Sequence, residues 1–115
     1  VILALILVCA MAPPPPVVPP LIEARLYAAI EIGWHQYRCL DRLVQRESRW
    51  RVTARNRSSG AAGLFQALPP EKMARYGADY LTNAMVQMRF GIAYIAARYR
   101  TACRALQHSY DRGWY

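Results

Sequence analysis

YRCLDRLVQRESRW, residues 37–50, carries the period of an amphipathic α-helix. Cys39, Leu40, Leu43, Val44 and Glu47 fall at i, i+1, i+4, i+5 and i+8, which places them on one face. Arg38, Asp41, Arg42, Gln45, Arg46 and Arg49 occupy the rest of the surface. One member of the apolar face is out of character, because Glu47 sets a carboxyl in line with leucine and valine. A carboxyl moved toward low dielectric disfavours its anion, so its pKa rises. An acid that keeps its proton near neutral pH is what protonation of a leaving oxygen requires. The plainer alternative is that Glu47 sits at the edge of the apolar face and pairs with Arg51 or another arginine.

Helical patterning continues on both sides of this segment. LIEARLYAAIEI, residues 21–32, is a weak amphipathic helix that Gly33 ends. Pro69-Pro70 opens a short helix, EKMARY, and Gly77 closes it. Asn83 is suited to cap a longer helix in which Met85, Met88, Ile92, Ile95 and Tyr99 recur at spacings of three and four. Cys103, Leu106 and Tyr110 repeat the pattern in a last short helix. No strand alternation of useful length and no internal repeat interrupts this series, so an all-α domain is expected.

The chain has 115 residues, enough for one small domain. Fifteen Lys and Arg stand against seven Asp and Glu, for a net charge of +8, and Lys72 is the only lysine. Such a surface favours anionic partners: nucleic acid, acidic lipid or a carboxylate-bearing polymer such as a cell wall. Charge alone does not choose among them.

Residues 1–12, VILALILVCAMA, are too short an apolar run to span a bilayer, which takes about 20 residues. They fit the apolar core of a secretory signal peptide whose start is missing, with Ala10-Met11-Ala12 resembling its cleavage site. Pro13 fits poorly just after a cut, so cleavage elsewhere is open. PPPPVVPP, residues 13–20, reads as an extended tether. On this reading the domain occupies residues 21–115 and the leader touches membrane only during export. The three cysteines are Cys9, Cys39 and Cys103. Export would leave Cys39 and Cys103 as a pair. A disulfide between them closes a loop of roughly 65 residues, worth about 4 kcal/mol by chain entropy. Two separate buried thiols are the alternative.

TARNRSSGAAGLFQALPP, residues 53–70, reads as a structured loop. Gly60 and Gly63 allow a ligand to approach the backbone. Asn56, Ser58, Ser59 and Gln66 offer uncharged hydrogen-bonding groups suited to sugar hydroxyls and acetamido groups. Loop composition by itself is equally that of a polar surface turn.

RESRWRVTARNRSSGAAGLFQALP resembles the signature of lysozyme-like lytic transglycosylases, in which Glu-Ser at a helix end precedes N-x-x-S-G-A-x-G-L-x-Q. GADYLTNAMVQMRFGIAYIAARY and the closing CRALQHSYDRGWY are similar to the compact secreted wall proteins related to the aggregation-promoting factor C-terminal domain. The resemblance covers about residues 35–115. It implies a lysozyme-like helical fold with a glycan cleft, Glu47 as catalytic acid and Ser48 as its supporting serine. Ser59, Gly63, Leu64 and Gln66 match the loop motif, and the glutamine of that motif faces substrate. Many relatives carry an aromatic residue in place of Ala62 and a proline in place of Arg57. Their late A-Y-N motif has no clear counterpart, and Tyr94, or a tyrosine or His108 within QHSY, residues 107–110, is the candidate to take its place.

Glycosidases with two carboxylates need a second Asp or Glu across the scissile bond. Asp41, Glu71, Asp79 and Asp111 are the candidates, and none holds an obvious pairing position. A single-acid mechanism therefore fits better, and the resemblance implies a lytic transglycosylase acting on peptidoglycan strands. It would be secreted or wall-associated and monomeric, with no cofactor and no metal, since His35 and His108 lack ligand spacing. The rivals are a lysozyme-type hydrolase, an inactive wall-binding module, and an arginine-rich nucleic-acid binder, which the leader and the loop argue against.

Overall fold

The computed structural model describes residues 10–115, so most of the proposed leader, residues 1–9, lies outside the described residues. Residues 10–19 carry no regular structure, and the prolines of the tether are exposed. Four α-helices follow: α1 (Pro20–Ile32), α2 (Trp34–Ser48), α3 (Ala84–Tyr99) and α4 (Ala102–Arg112). A 3-10 helix, Pro70–Tyr76, stands between α2 and α3. Among the described residues there is no strand, only isolated bridges pairing Ala62 with Arg55 and with Ala67. The domain is all-α, as the periodicity predicts. No described helix is long and apolar enough to cross a membrane.

α2 packs on α4 and α1 packs on α3, while the 3-10 helix lies against α3. Leu40, Leu43 and Val44 of α2 meet Met88 and Ile95 of α3 and Ala105 and Leu106 of α4 in one core. Ala24 and Ala28 are fully buried, which lets the α1 backbone approach closely. α1 and α2 share one joint, Gly33, whose φ of +81° only glycine adopts freely. Asn83 caps α3 as expected, its side chain accepting from the backbone N–H of Met85 and Val86. Thr101 caps α4 by accepting from Arg104 N–H. A disulfide joins Cys39 of α2 to Cys103 of α4 across a separation of 64 residues.

Three boundaries and registers differ from the sequence expectation. α2 starts at Trp34, not Tyr37, and stops at Ser48, not Trp50. Arg49 and Trp50 both take left-handed backbone, with φ of 53° and 60°. The strain is held by contacts that sequence spacing does not show. Trp50 Nε1 donates to Asp41 Oδ1 at 2.8 Å, and the Arg25 guanidinium lies 4.3 Å over the Trp50 ring. In α4 the inward seam is Ala102, Ala105, Leu106 and Ser109, whereas Tyr110 is exposed beneath the Arg46 guanidinium.

Candidate functional site

Glu47 lies in the last turn of α2, half-buried at the edge of the core. Its carboxyl opens into a cleft of about 380 Å³ lined also by Asn56, Gln66, Leu68, Trp114 and Tyr115. Burial pushes its pKa up from the ordinary carboxylate range, and the nearby Arg46 charge opposes the shift in part. No salt bridge reaches it among the described residues, so the edge-paired alternative is not what the chain adopts. Arg51 turns away, its Nε donating to the Ser48 carbonyl at 3.2 Å.

The loop that forms the cleft wall is built from its own polar groups. The Asn56 side chain accepts from Ser58 N–H and Ser59 N–H at 2.9 and 3.1 Å. Ser59 Oγ accepts from Ala61 N–H at 3.1 Å. Ala62 and Ala67 exchange both backbone hydrogen bonds, which folds residues 62–67 into a tight hairpin-like turn. Gln66 closes that turn, its N–H donating to the Gly63 carbonyl at 3.1 Å, with φ +50°. Its Nε2 donates to the Gly63 and Ala54 carbonyls at 3.0 and 3.4 Å, so its carbonyl oxygen is the atom not used within the loop.

Beneath the loop sits Gln87 of α3, which the sequence pattern does not single out. Its side chain is fully buried. Oε1 accepts from Leu64 N–H at 2.8 Å, while Nε2 donates to the carbonyls of Tyr80 and Val52 at 2.8 and 3.0 Å. A Cβ on Gly63 would stand 2.7 Å from that Oε1, so the glycine is required both by contact and by its φ of +81°. Gly91 plays a similar part, because a Cβ there would meet the Phe65 ring at 2.2 Å. Gln87 stands about 100° around α3 from Met88, off the seam of Met85, Met88, Ile92, Ile95 and Tyr99, so the periodicity that marks Glu47 on α2 does not mark it.

The opposite wall comes from the last three residues. Gly113 takes φ +77° and turns the chain back after α4. Tyr115 then reaches the loop, its hydroxyl donating to the Phe65 carbonyl at 2.6 Å. Its ring meets Tyr94 and Tyr99 edge-on and tilted, at 5.9 and 6.1 Å between centroids. Burial first, and then the Glu47 charge, hold the Tyr115 phenol well above its usual pKa, so it stays a donor. Trp114 is half exposed at the rim, with its ring edge-on to His108 at 4.7 Å. Such a face can pack against the apolar side of a sugar ring.

The structure brings together only part of the expected set. Glu47 and Gln66 share the cleft. Tyr94 lines a smaller depression of about 80 Å³ that continues the cleft past Gln66, Leu68 and Tyr115, with Lys72 at its edge. Ser48 is buried, and its hydroxyl donates to the Val44 carbonyl at 3.2 Å, so it faces the core instead of a ligand. Gly63 and Leu64 are buried under the loop and act through its shape. Ser59 is exposed but lies outside the cleft lining. His108 stands behind Trp114, with Nδ1 2.9 Å from the Trp114 carbonyl.

None of the other carboxylates considered from the sequence lines the cleft. Asp41 is engaged by Arg25 and Trp50, Asp79 by Asn83, and Asp111 by Gln107. Glu71 is exposed on the 3-10 helix. Among the described residues Glu47 is thus the one carboxylic side chain that lines the cleft, together with the Gln66 amide and the Tyr115 phenol. Comparison of the chain with known protein families, with curated proteins and with solved structures found no match.

Proposed function

We propose that the protein is a lytic transglycosylase that cleaves the β-1,4 bond between N-acetylmuramic acid and N-acetylglucosamine in peptidoglycan. The observation that carries this reading is the solitary Glu47 carboxyl, raised in pKa by burial and open to a cleft beside Gln66. The resemblance of RESRW and SGAAGLFQ to the transglycosylase signature supports it from the sequence side. Protonated Glu47 gives its proton to the bridging oxygen as the bond from C1 to that oxygen breaks. Loop dipoles and the substrate's own acetamido group stabilise the oxocarbenium-like state. The Glu47 carboxylate then takes the proton of the C6 hydroxyl as O6 bonds to C1. A 1,6-anhydro end results, the acid is regenerated, and no water is consumed. Among the described residues Glu47 is the one carboxylic side chain lining the cleft, which favours this route over one that must activate water.

The substrate would be the glycan strand, and the site of action outside the cell or in the wall. The disulfide is compatible with an oxidising compartment. Incubation of purified protein with peptidoglycan, followed by mass analysis of the soluble fragments, tests the reading. Fragments lighter by one water than hydrolytic products are expected. Hydrated products would replace it with a lysozyme-type hydrolase. Binding to the wall without any release of fragments would replace it with a non-catalytic module.

A further inference from the structure

Arg38, Arg42 and Arg46 follow at four-residue intervals along the outer face of α2, rising about 6 Å per step. Glu47 lies about 140° around the helix from Arg42, so the row points away from the cleft. Arg38 and Arg42 are exposed. Arg46 is laid across α4, its Nε donating to Ser109 Oγ at 3.2 Å and its guanidinium 4.6 Å over the Tyr110 ring. Two shallow concavities, of about 220 and 310 Å³, run along the row and share Arg42.

This charge is not neutralised within the protein. Among the described residues Arg25 is the only one of the fifteen Lys and Arg side chains in a salt bridge. Asp41, the carboxylate that lines the concavity beside Arg42 and Arg46, is taken by that same Arg25 at 3.2 Å and by Trp50 at 2.8 Å, and Glu47, whose charge Arg46 feels, opens on the cleft side without a salt bridge among the described residues. Like charges one helical turn apart destabilise a helix, so the row stands against its own repulsion. An anion seated between successive guanidinium groups relieves it. Planar guanidinium forks match phosphate oxygens two at a time, which a lysine row would not do.

We propose that the outer face of α2 is a docking surface for a linear polyphosphodiester without bases, bound by Arg38, Arg42 and Arg46. Spacing of one cation per turn suits a flexible chain with one phosphate in each short repeat. Single-stranded nucleic acid fits less well, because it is held by aromatic rings placed between the charges. Here the rings flank the row only at its ends: Trp34 is stacked on Tyr37, and Tyr110 is covered by Arg46. The proposal does not depend on Glu47, and its failure would leave the cleft chemistry untouched.

Equilibrium binding of the full chain to poly(glycerol phosphate) across a salt series tests it. Arg38→Gln/Arg42→Gln is compared with Arg75→Gln/Arg89→Gln, which removes the same charge from exposed positions elsewhere. The first variant should bind at least about tenfold more weakly. Its slope of log K against log salt should flatten by about 0.7 for each phosphate that the protein no longer neutralises. The second should stay within about twofold of the parent. Arg38→Lys/Arg42→Lys, which keeps charge and helix, should still weaken binding; unchanged affinity there would remove the role of the guanidinium fork. Equal losses in the two glutamine variants would reduce the effect to net charge and overturn the proposal. So would absence of binding by the parent protein, or tighter row-dependent binding to poly(dT).

Discussion

Replacement of Gln87 by leucine keeps the volume of the side chain and deletes its amide. Three backbone groups then lose their partner: Leu64 N–H, the Val52 carbonyl and the Tyr80 carbonyl. Leu64 is fully buried, so its N–H cannot recover a hydrogen bond from water, at a cost of about 2–3 kcal/mol. Val52 and Tyr80 are partly exposed, and water can reach their carbonyls, so each adds only about 0.5–1 kcal/mol. The leucine offsets about 1 kcal/mol through its apolar surface. The net loss is about 2–4 kcal/mol, a large share of the roughly 5–15 kcal/mol typical of a domain. Urea unfolding followed by circular dichroism, with the slope held common to both proteins, measures it. Because Gln87 supports the turn that presents Gln66, cleavage of peptidoglycan should fall further than the folded fraction does. A stability change below about 1 kcal/mol with an unchanged slope would refute this account of how the loop is held.

Glu47→Gln should lower fragment release by about 100- to 10,000-fold while the fold is kept, as circular dichroism and the release assay together report. In the parent protein the rate should fall as pH rises through the raised Glu47 pKa, since the acid form is then depleted. Stability follows the same sign: the folded state holds this proton more tightly than the unfolded one, whose Glu pKa is about 4.3. The Glu47 contribution is therefore fully present below that value and is lost as pH rises through the folded pKa, and Glu47→Gln should flatten this segment of the stability profile. If the cleft takes the proposed glycan, Trp114→Ala should raise KM severalfold with little change in kcat, because the exposed ring at the cleft offers contact area and no proton.

What the sequence discloses, and what it hides, divides along physical lines. α3 is readable because its apolar residues repeat for four turns and Asn83 supplies a local cap. α2 is readable for the same reason, but its end is not. Two left-handed residues are held there by Arg25, which comes from a different helix. In α4 the inward position falls to Ser109, since Arg46 of α2 reaches across to it, and Tyr110 is displaced outward. Glu47 is legible because one carboxyl breaks an apolar face. Trp114 and Tyr115 are not, because their place in the cleft depends on the Gly113 turn and on a hydroxyl reaching Phe65, fifty residues away. The loop can be recognised as structured, yet the glutamine that fixes it lies 23 residues beyond Leu64.

Glu47 and Gln87 are both polar side chains turned toward the interior from a helix, although only Glu47 falls on a seam read from the sequence, and the structure treats them in opposite ways. Gln87 is satisfied within the fold: Oε1 accepts from Leu64 N–H in the loop and Nε2 donates to the Val52 and Tyr80 carbonyls on either side of it and of the 3-10 helix, with the Gln87 side chain itself buried away from a ligand. Glu47 is half-buried, unpaired and shifted toward its neutral form. A carboxyl that served the fold would be matched to one of the many arginines, and its pKa would fall. With fourteen arginines in the chain, including Arg46 beside it and Arg51 one turn on, pairing was within easy reach of the sequence. Arg46 is instead drawn to Ser109 and Tyr110, and Arg51 to the Ser48 carbonyl, which keeps both from closing an ion pair with the acid. The fold thus bears a partly desolvated acid whose burial the nearby Arg46 charge offsets only in part, and that imbalance is the reason for the acid role proposed for it.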